Sequence, residues 1–239
     1  MGMVMDERIF RARAREVLKD NWGISIGAAA LAFLLGGLLT GASFLPDFDS
    51  NLAKTLGLSF ETPYLALKLT SALGLVNFII GGTVQLGYTK FLLSQHDGNS
   101  YEINDLFSQF HRFGAGFVQY FLRQLYIILW MLLFIIPGVM ASYSYAMTPF
   151  LMAENPELKP SEAISLSKDM MNGHKGELFA LDLSFIGWVL LAVLTLNIGH
   201  LWLNPYRNAA YAAFYRELKA QYIADGGERL LHSAEAINR

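Results

Sequence analysis

The chain has 239 residues, 54% of them hydrophobic and 16% charged, and its formal net charge is −2. Roughly a quarter of the residues in a soluble domain are charged, so this composition disfavours a soluble protein of this length. The sequence contains no cysteine, which excludes disulfides, thiolate metal sites and cysteine nucleophiles.

Four stretches carry no Asp, Glu, Lys or Arg: residues 21–46, 69–89, 124–153 and 183–206. A helix of about 20 apolar residues crosses the hydrocarbon core of a bilayer. We therefore expect an all-α, polytopic membrane protein with about six spans and a single integral-membrane domain over residues 1–239. Its predicted parts are a cytoplasmic amphipathic leader (1–20), membrane helices and loops (21–222) and a cytoplasmic tail (223–239).

The leader is predicted to form an amphipathic helix, in which Ile9, Phe10, Val17 and Leu18 oppose a basic face. The basic residues are Arg8, Arg11, Arg13, Arg15 and Lys19. They suit an anionic inner leaflet, where each contributes about 1 kcal/mol, and they also favour a cytoplasmic N-terminus. The first apolar run resembles a signal peptide, but acidic residues in the leader and the later spans favour an uncleaved helix.

Six spans place every basic cluster on one side of the membrane, with both termini in the cytoplasm. The loop with Asp47 and Asp49 then lies outside. We expect this loop to be solvated, and a weak cation site is the alternative.

Two helices are predicted to be short or irregular. Residues 113–153 must cross twice, with a turn at Pro137 and Gly138. The return helix is short, and the alternatives are that it thins the bilayer, tilts little or breaks at Pro149. The last helix is expected to begin at Asn204 and Pro205, as N-cap and first helical position.

The two inner loops share one pattern of residues. Glu102, Leu106, Phe110 and Gly116 recur with the same spacing as Glu162, Leu166, Met170 and Gly176. We therefore predict a threefold hairpin repeat, each unit having an amphipathic helix, a bulky span that faces lipid and a small-residue span that packs closely. The alternative is the ordinary alternation of a multi-span protein.

Catalytic signatures are missing from the sequence. The five histidines are scattered without metal-ligand spacing, and HExxH, GxSxG and phosphate-binding glycine motifs do not occur. Ser184 is expected to hydrogen-bond along its own helix. We predict a non-enzymatic protein that needs no cofactor or metal.

Charged residues inside the predicted spans are the candidate functional residues, because they are costly to place in lipid. We expect Arg123 and Asp182 to lie at similar depth and to form a structural ion pair, with Lys90 as a competing partner. The alternatives are a pair that lines a polar cavity and a pair that carries protons. Arg207 is expected near the outer surface, where it snorkels or binds an anionic group.

The stretches "SKDMMNGHKGELFALDLSFIGW" and "NPYRNAAYAAFYREL", with the leader "RARAREVLKDNWG", resemble an uncharacterised bacterial integral-membrane family, domain of unknown function 975. The resemblance is most specific at Ser167, Lys168, Met171, Gly173, Lys175, Phe179, Ser184 and Trp188. It implies a multi-pass protein of a bacterial plasma membrane. It implies no established activity, cofactor or catalytic residue.

Two functions remain open from the sequence. The first is a non-enzymatic membrane organiser that binds lipid or a membrane or cytoplasmic protein partner, with residues 160–176, including Met170 and Met171, as docking surface. The second is a transporter or exporter of a small amphipathic or hydrophobic molecule through a polar cavity near Arg123 and Asp182. Nucleic acid is not an expected partner, and the oligomeric state is not predicted.

Overall fold

A computed structural model of the chain describes residues 6–32, 35, 63–195 and 198–227, and the side chains within these ranges except those of 63–78. These residues form helices and no strand. In chain order they are α1 (Glu7–Leu18), α2 (Trp22–Ala32), α3 (Pro63–His96), α4 (Phe113–Leu133), α5 (Ile135–Ser144), α6 (Thr148–Glu154), α7 (Pro160–Met170), α8 (Lys175–Ser184), α9 (Ile186–Leu194) and α10 (His200–Tyr222). Two short 3₁₀ helices, Ile103–Phe107 and Phe110–Arg112, precede α4, and a π-helical turn, Ile223–Gly227, follows α10.

The leader forms α1, which packs on the protein body. Its N-cap, Asp6, accepts a hydrogen bond from the backbone N–H of Arg8 at 2.8 Å. Its buried face consists of Phe10, Ala14 and Leu18, which recur every four residues and so share one side of a helix. The Phe10 ring meets the Phe214 ring of α10 edge-on, with 5.3 Å between centroids. The predicted apolar face is therefore confirmed only for Phe10 and Leu18, because Val17 is half-buried and Ile9 is 55% exposed.

Among the described residues, two helical stretches, Ile103–Leu133 and Lys175–Leu194, are long and apolar enough to cross a membrane. In their most apolar parts only 11% and 22% of the residues are buried, whereas the core helix of a soluble protein would be mostly buried. The all-α class is therefore confirmed for the described residues, and the structure gives two candidate spans where about six were predicted. The loop with Asp47 and Asp49 lies outside the described residues, as does 228–239 of the predicted tail.

Small residues permit close helix packing, as predicted. A Cβ atom on Gly82 of α3 would lie 2.2 Å from the backbone oxygen of Gly116 in α4. Four alanines of α10 (Ala209, Ala210, Ala212 and Ala213) are at most 4% exposed. In contrast, the bulky residues at the end of α4 are exposed, for example Leu132 at 78%.

The turn between α4 and α5 differs from the prediction. The chain reverses at Phe134, which has an extended backbone, and Pro137 and Gly138 lie inside the first turn of α5. Proline is tolerated there because the first N–H groups of a helix have no intrahelical partner. A Cβ atom on Gly138 would lie 2.3 Å from Met131 Cγ, so this glycine lets α5 pack against α4.

The helix break near Pro149 is confirmed, because α5 ends at Ser144 and Pro149 lies in the first turn of α6. The predicted start of the last helix is wrong. α10 begins at His200 and contains Pro205 in its interior. In the turn before α10, Thr195 Oγ1 accepts a hydrogen bond from the Gly199 N–H at 3.0 Å.

Each amphipathic element packs on a small-residue helix. The 3₁₀ helix Ile103–Phe107 contacts α3 so closely that a Cβ atom on Gly87 would lie 2.0 Å from the Leu106 oxygen. Helix α7 contacts α5 and α6, and its Ser167 hydroxyl donates to the Ser144 carbonyl at 2.8 Å. Helix α1 contacts α10. The first two elements follow their partner helices in the chain, and α1 pairs with the last helix.

Candidate functional site

Asp182 of α8 is bound by two tyrosines. The Tyr143 hydroxyl of α5 donates to Asp182 Oδ2 at 3.1 Å. The Tyr211 hydroxyl of α10 lies 2.7 Å from both carboxylate oxygens. The charge of Arg207 also acts on both hydroxyls. A half-buried carboxylate is thereby satisfied by neutral donors that come from two other helices.

The predicted ion pair between Arg123 and Asp182 is wrong. Within the part of the chain that the structure describes, Arg123 makes no ion pair, and its Nε is buried without a hydrogen-bond partner. Lys90, on α3, does not pair with Asp182 either. The physical reason is that tyrosines already occupy both oxygens of the carboxylate.

Arg123 instead lines a cavity of about 780 Å³ between α2, α3, α4, α5, α6 and α10. Arg207 lines the same cavity, and these two arginines are the only charged residues among its described lining residues. The polar lining residues are Gln85, Tyr88, Thr89, Tyr120, Gln124, Ser142, Asn204, Asn208 and Tyr211. The cavity therefore has a cationic and hydrogen-bonding wall.

Arg207 is exposed, and its position near the outer surface stays a prediction. With α10 beginning at His200, it lies two turns into the helix and lines the cavity that also contains Arg123. The two tyrosines that bind Asp182 were not predicted, although the small-residue helices are visibly rich in tyrosine.

A second, smaller cavity of about 460 Å³ lies beside α1. Arg11 and Arg15 line it together with three tryptophans, Trp22, Trp188 and Trp202. Arg11 donates to the Ser184 carbonyl at 3.4 Å and to the Tyr206 hydroxyl at 3.5 Å, and its guanidinium lies 5.5 Å from the centre of the Phe185 ring.

The other leader cations are placed differently. Arg13 lies 3.9 Å from the Glu217 carboxylate of α10, and both side chains are partly exposed. Arg8 and Lys19 are exposed. Arg11 and Arg15 thus line the apolar cavity, where Arg15 is also exposed, and the other three cations lie at the surface.

Part of the predicted docking surface is buried. Met170 and Met171 are 1% and 0% exposed, because the apolar face of α7 is covered by α4 and α6. Ser167 is also buried. The docking prediction is wrong for these three residues, because their side chains pack inside the protein.

The remaining motif residues lie at or near the surface. Lys168, Gly173, Phe179 and Trp188 are exposed, and Lys175 and Ser184 are half-buried. Gly173 has a φ of +90°, a conformation that favours glycine, just after α7. The Ser184 hydroxyl donates to the Leu181 carbonyl at 2.7 Å, which confirms its predicted hydrogen bond along the helix.

Glu154, at the end of α6, forms a hydrogen-bonded charge cluster with α10. Its carboxylate accepts from Arg216 at 2.5 Å, from Lys219 at 2.7 Å and from the Tyr215 hydroxyl at 2.6 Å. Arg216 also pairs with Asp97, which follows α3. Burial alone would raise the pKa of Glu154, but the three hydrogen bonds together hold it below its usual value. This cluster joins three segments that the predicted topology places on one side of the membrane.

No group of three or more His, Asp or Glu residues that could hold a metal ion occurs among the described residues. His174 Nδ1 and Glu177 Oε2 are 2.7 Å apart at the start of α8. This pair lies within one turn of one helix.

Residues 131–222 match the model of a family described as protein of unknown function (DUF975). The family resemblance predicted from the sequence is therefore confirmed over this segment, which extends from the end of α4 through α10. Comparison with curated proteins and with solved structures gives no significant match.

Proposed function

Since the matching family has no assigned activity, we propose from the geometry that this is a non-enzymatic, multi-pass protein of a bacterial plasma membrane that binds an anionic phospholipid beside α1. The observation that supports the proposal is the cavity in which Arg11 and Arg15 stand next to three tryptophans. Binding there would hold a lipid at a defined place on the protein and so organise the bilayer around it.

The chemistry of this cavity matches both ends of a phospholipid. Among the described residues, neither Arg11 nor Arg15 is paired with a carboxylate. Arg11 donates to two neutral oxygens and Arg15 Nε to one, so each guanidinium keeps N–H donors and an unneutralised charge for a phosphate. Beyond the arginines the wall is apolar, and tryptophan is typical of the level where headgroups meet acyl chains. The adjoining surface is also apolar, since Leu191 and Leu194 are 55% and 79% exposed.

The proposed architecture has three units in a ring. The first unit is α1 to α3, the second extends from the 3₁₀ helices to α6, and the third is α7 to α10. The support for it is that the amphipathic element of each unit packs on the small-residue helix of the unit before it, and that α1 packs on the last unit. In this arrangement the charge cluster at Glu154 lies on the cytoplasmic side, with both termini.

The lipid proposal is tested by native mass spectrometry of the protein purified from its membrane. The test variant is Arg11→Gln with Arg15→Gln. The matched control is Arg8→Gln with Arg13→Gln, which removes the same charge from the same helix outside the cavity. Wild type and control should retain phosphatidylglycerol adducts that survive activation, and the test variant should lose them. Equal loss in both double variants would show that only the net charge of the leader matters and would refute the proposal.

The proposed organiser also binds a partner protein, and the exposed Lys168 of α7 is the candidate contact. Crosslinking from a photoreactive residue at this position in living cells tests it. Recovery of no crosslinked partner would restrict the proposed function to lipid.

A second candidate function is transport or export of a small amphipathic molecule, and the cavity with Arg123 and Arg207 favours it. Proteoliposomes with the wild-type protein should then move a fluorescent anionic amphiphile between leaflets faster than empty liposomes do. Equal rates in the two preparations would refute transport.

A further inference from the structure

We infer that the cavity lined by Arg123 and Arg207 is a binding site for the phosphate monoester head of a single-chain amphiphile. This site is separate from the lipid cavity beside α1, and its existence does not depend on whether the protein transports anything. The inference rests on the charge of the wall, on unpartnered polar atoms and on the size and composition of the cavity.

The wall carries two positive charges that the described lining residues do not neutralise. A buried cation is costly unless it is paired, yet Arg123 Nε is buried and has no hydrogen-bond partner in the structure. Tyr211, which lines the cavity, contacts the carboxylate of Asp182. The oxygens of that carboxylate are already bound by two tyrosine hydroxyls. An anion inside the cavity would give the buried Arg123 Nε the partner that it lacks, and Arg207, which is exposed and lines the same cavity, would add a second guanidinium.

Two arginines select for phosphate more than for a simple halide ion. A guanidinium presents a planar fork of N–H donors that matches two oxygens of a phosphate, and two such forks can bind one phosphate from different sides. Gln85 adds an acceptor, because its buried Oε1 has no hydrogen-bond partner. That acceptor can take a hydroxyl of the ligand, so a glycerol phosphate meets the donors and the acceptor of the wall together.

The remaining wall accommodates a hydrocarbon chain. Val84, Ile127 and Phe150 line the cavity beside the polar groups. A volume of about 780 Å³ lies within the range of small-molecule sites, which is roughly 300–1,000 Å³. The cavity thus combines a phosphate site with apolar surface, as an amphiphile requires.

The experiment measures binding to the full-length protein in nanodiscs of phosphatidylcholine by isothermal titration calorimetry. The probe is 1-oleoyl-glycerol 3-phosphate. Oleoyl phosphocholine lysolipid has the same chain with a zwitterionic head, and inorganic phosphate has the anion without a chain. We expect 1-oleoyl-glycerol 3-phosphate to bind with a defined stoichiometry near one and the phosphocholine lysolipid not to bind. Competition by inorganic phosphate would identify free phosphate as the source of the recognised group, and no competition would identify the amphiphile.

Variants distinguish this site from general charge attraction. Arg123→Gln and Arg207→Gln should each weaken binding at least about tenfold, as expected for the loss of a charge-assisted hydrogen bond. Arg8→Gln should bind like wild type because Arg8 is exposed on α1. Ala29→Phe fills the cavity from α2 without removing an arginine, and it should also abolish binding. This variant keeps the test valid if an arginine variant does not fold.

Three results would overturn the inference: no binding by folded wild type, equal binding by both lysolipids, or undiminished binding by Ala29→Phe and the arginine variants. Loss of binding in Arg11→Gln with Arg15→Gln would assign the signal to the cavity beside α1 and would also overturn it.

Discussion

Glu154→Ala is the substitution for which the structure predicts the largest loss of stability at the charge cluster. The carboxylate accepts hydrogen bonds from Arg216, Lys219 and Tyr215, and the Tyr215 side chain is fully buried. Removing one partner of a buried ion pair costs about 3–5 kcal/mol, because the other charge stays buried. The Glu154 side chain is 23% exposed and Arg216 keeps Asp97, so the lower end, about 3 kcal/mol, applies here.

For a domain of this size, about 3 kcal/mol corresponds to a decrease in Tm of roughly 6–12 °C. Thermal unfolding of the purified protein in one detergent, followed by circular dichroism, measures the decrease. The control is Glu16→Ala, which removes an exposed carboxylate from α1 and should change Tm by about 2 °C or less. A decrease for Glu154→Ala no larger than that of Glu16→Ala would show that the cluster contributes nothing, and the reasoning from hydrogen-bond geometry would be wrong.

Three other predictions concern pH, packing and the tyrosine-bound aspartate. The pKa of Glu154 is lower in the folded protein than its ordinary 4.5, so ionised Glu154 stabilises the fold above that value and this stabilisation is lost as the pH falls through the folded pKa. Tm should therefore fall more between pH 6 and 3 in wild type than in Glu154→Gln. An equal dependence of Tm on pH in the two proteins would contradict this. Gly87→Ala places a Cβ atom 2.0 Å from a backbone oxygen and should cost about 1–3 kcal/mol in chemical unfolding, whereas Gly176→Ala, with open space around it, should be neutral or slightly stabilising. Tyr211→Phe and Asp182→Asn should each destabilise the protein, and the double variant should cost at least about 0.5 kcal/mol less than their sum, since they share one hydrogen-bonded contact; strict additivity would argue against the contact.

Local features were predictable because they depend on residues close in the sequence. The burial of Phe10 and Leu18 follows from the amphipathic pattern of the leader, and the hydrogen bond of Ser184 follows from its position within a helix. The break near Pro149 follows from the fixed φ and missing N–H of proline. Each of these can be derived without knowing which helices are neighbours.

Contacts between distant helices were not predictable in the same way. Tyr143 and Tyr211 lie 39 and 29 residues from Asp182, and no spacing rule connects residues at such distances. Opposite charges suggested Arg123 as the partner, but a neutral tyrosine satisfies a carboxylate equally well and costs less to bury. The wrong start of the last helix follows from a local rule, because proline favours the first turn of a helix but Pro205 lies inside α10.

The packing of α1 on α10 has a consequence for the order of events during synthesis. Phe10, Ala14 and Leu18 leave the ribosome long before Phe214, which is part of the surface that covers them. At roughly 5–20 residues per second, the leader waits about 10–40 s for its partner helix. During that interval its apolar face has only the membrane surface or a chaperone to cover it, and a chain that terminates before α10 would leave that face permanently open to degradation.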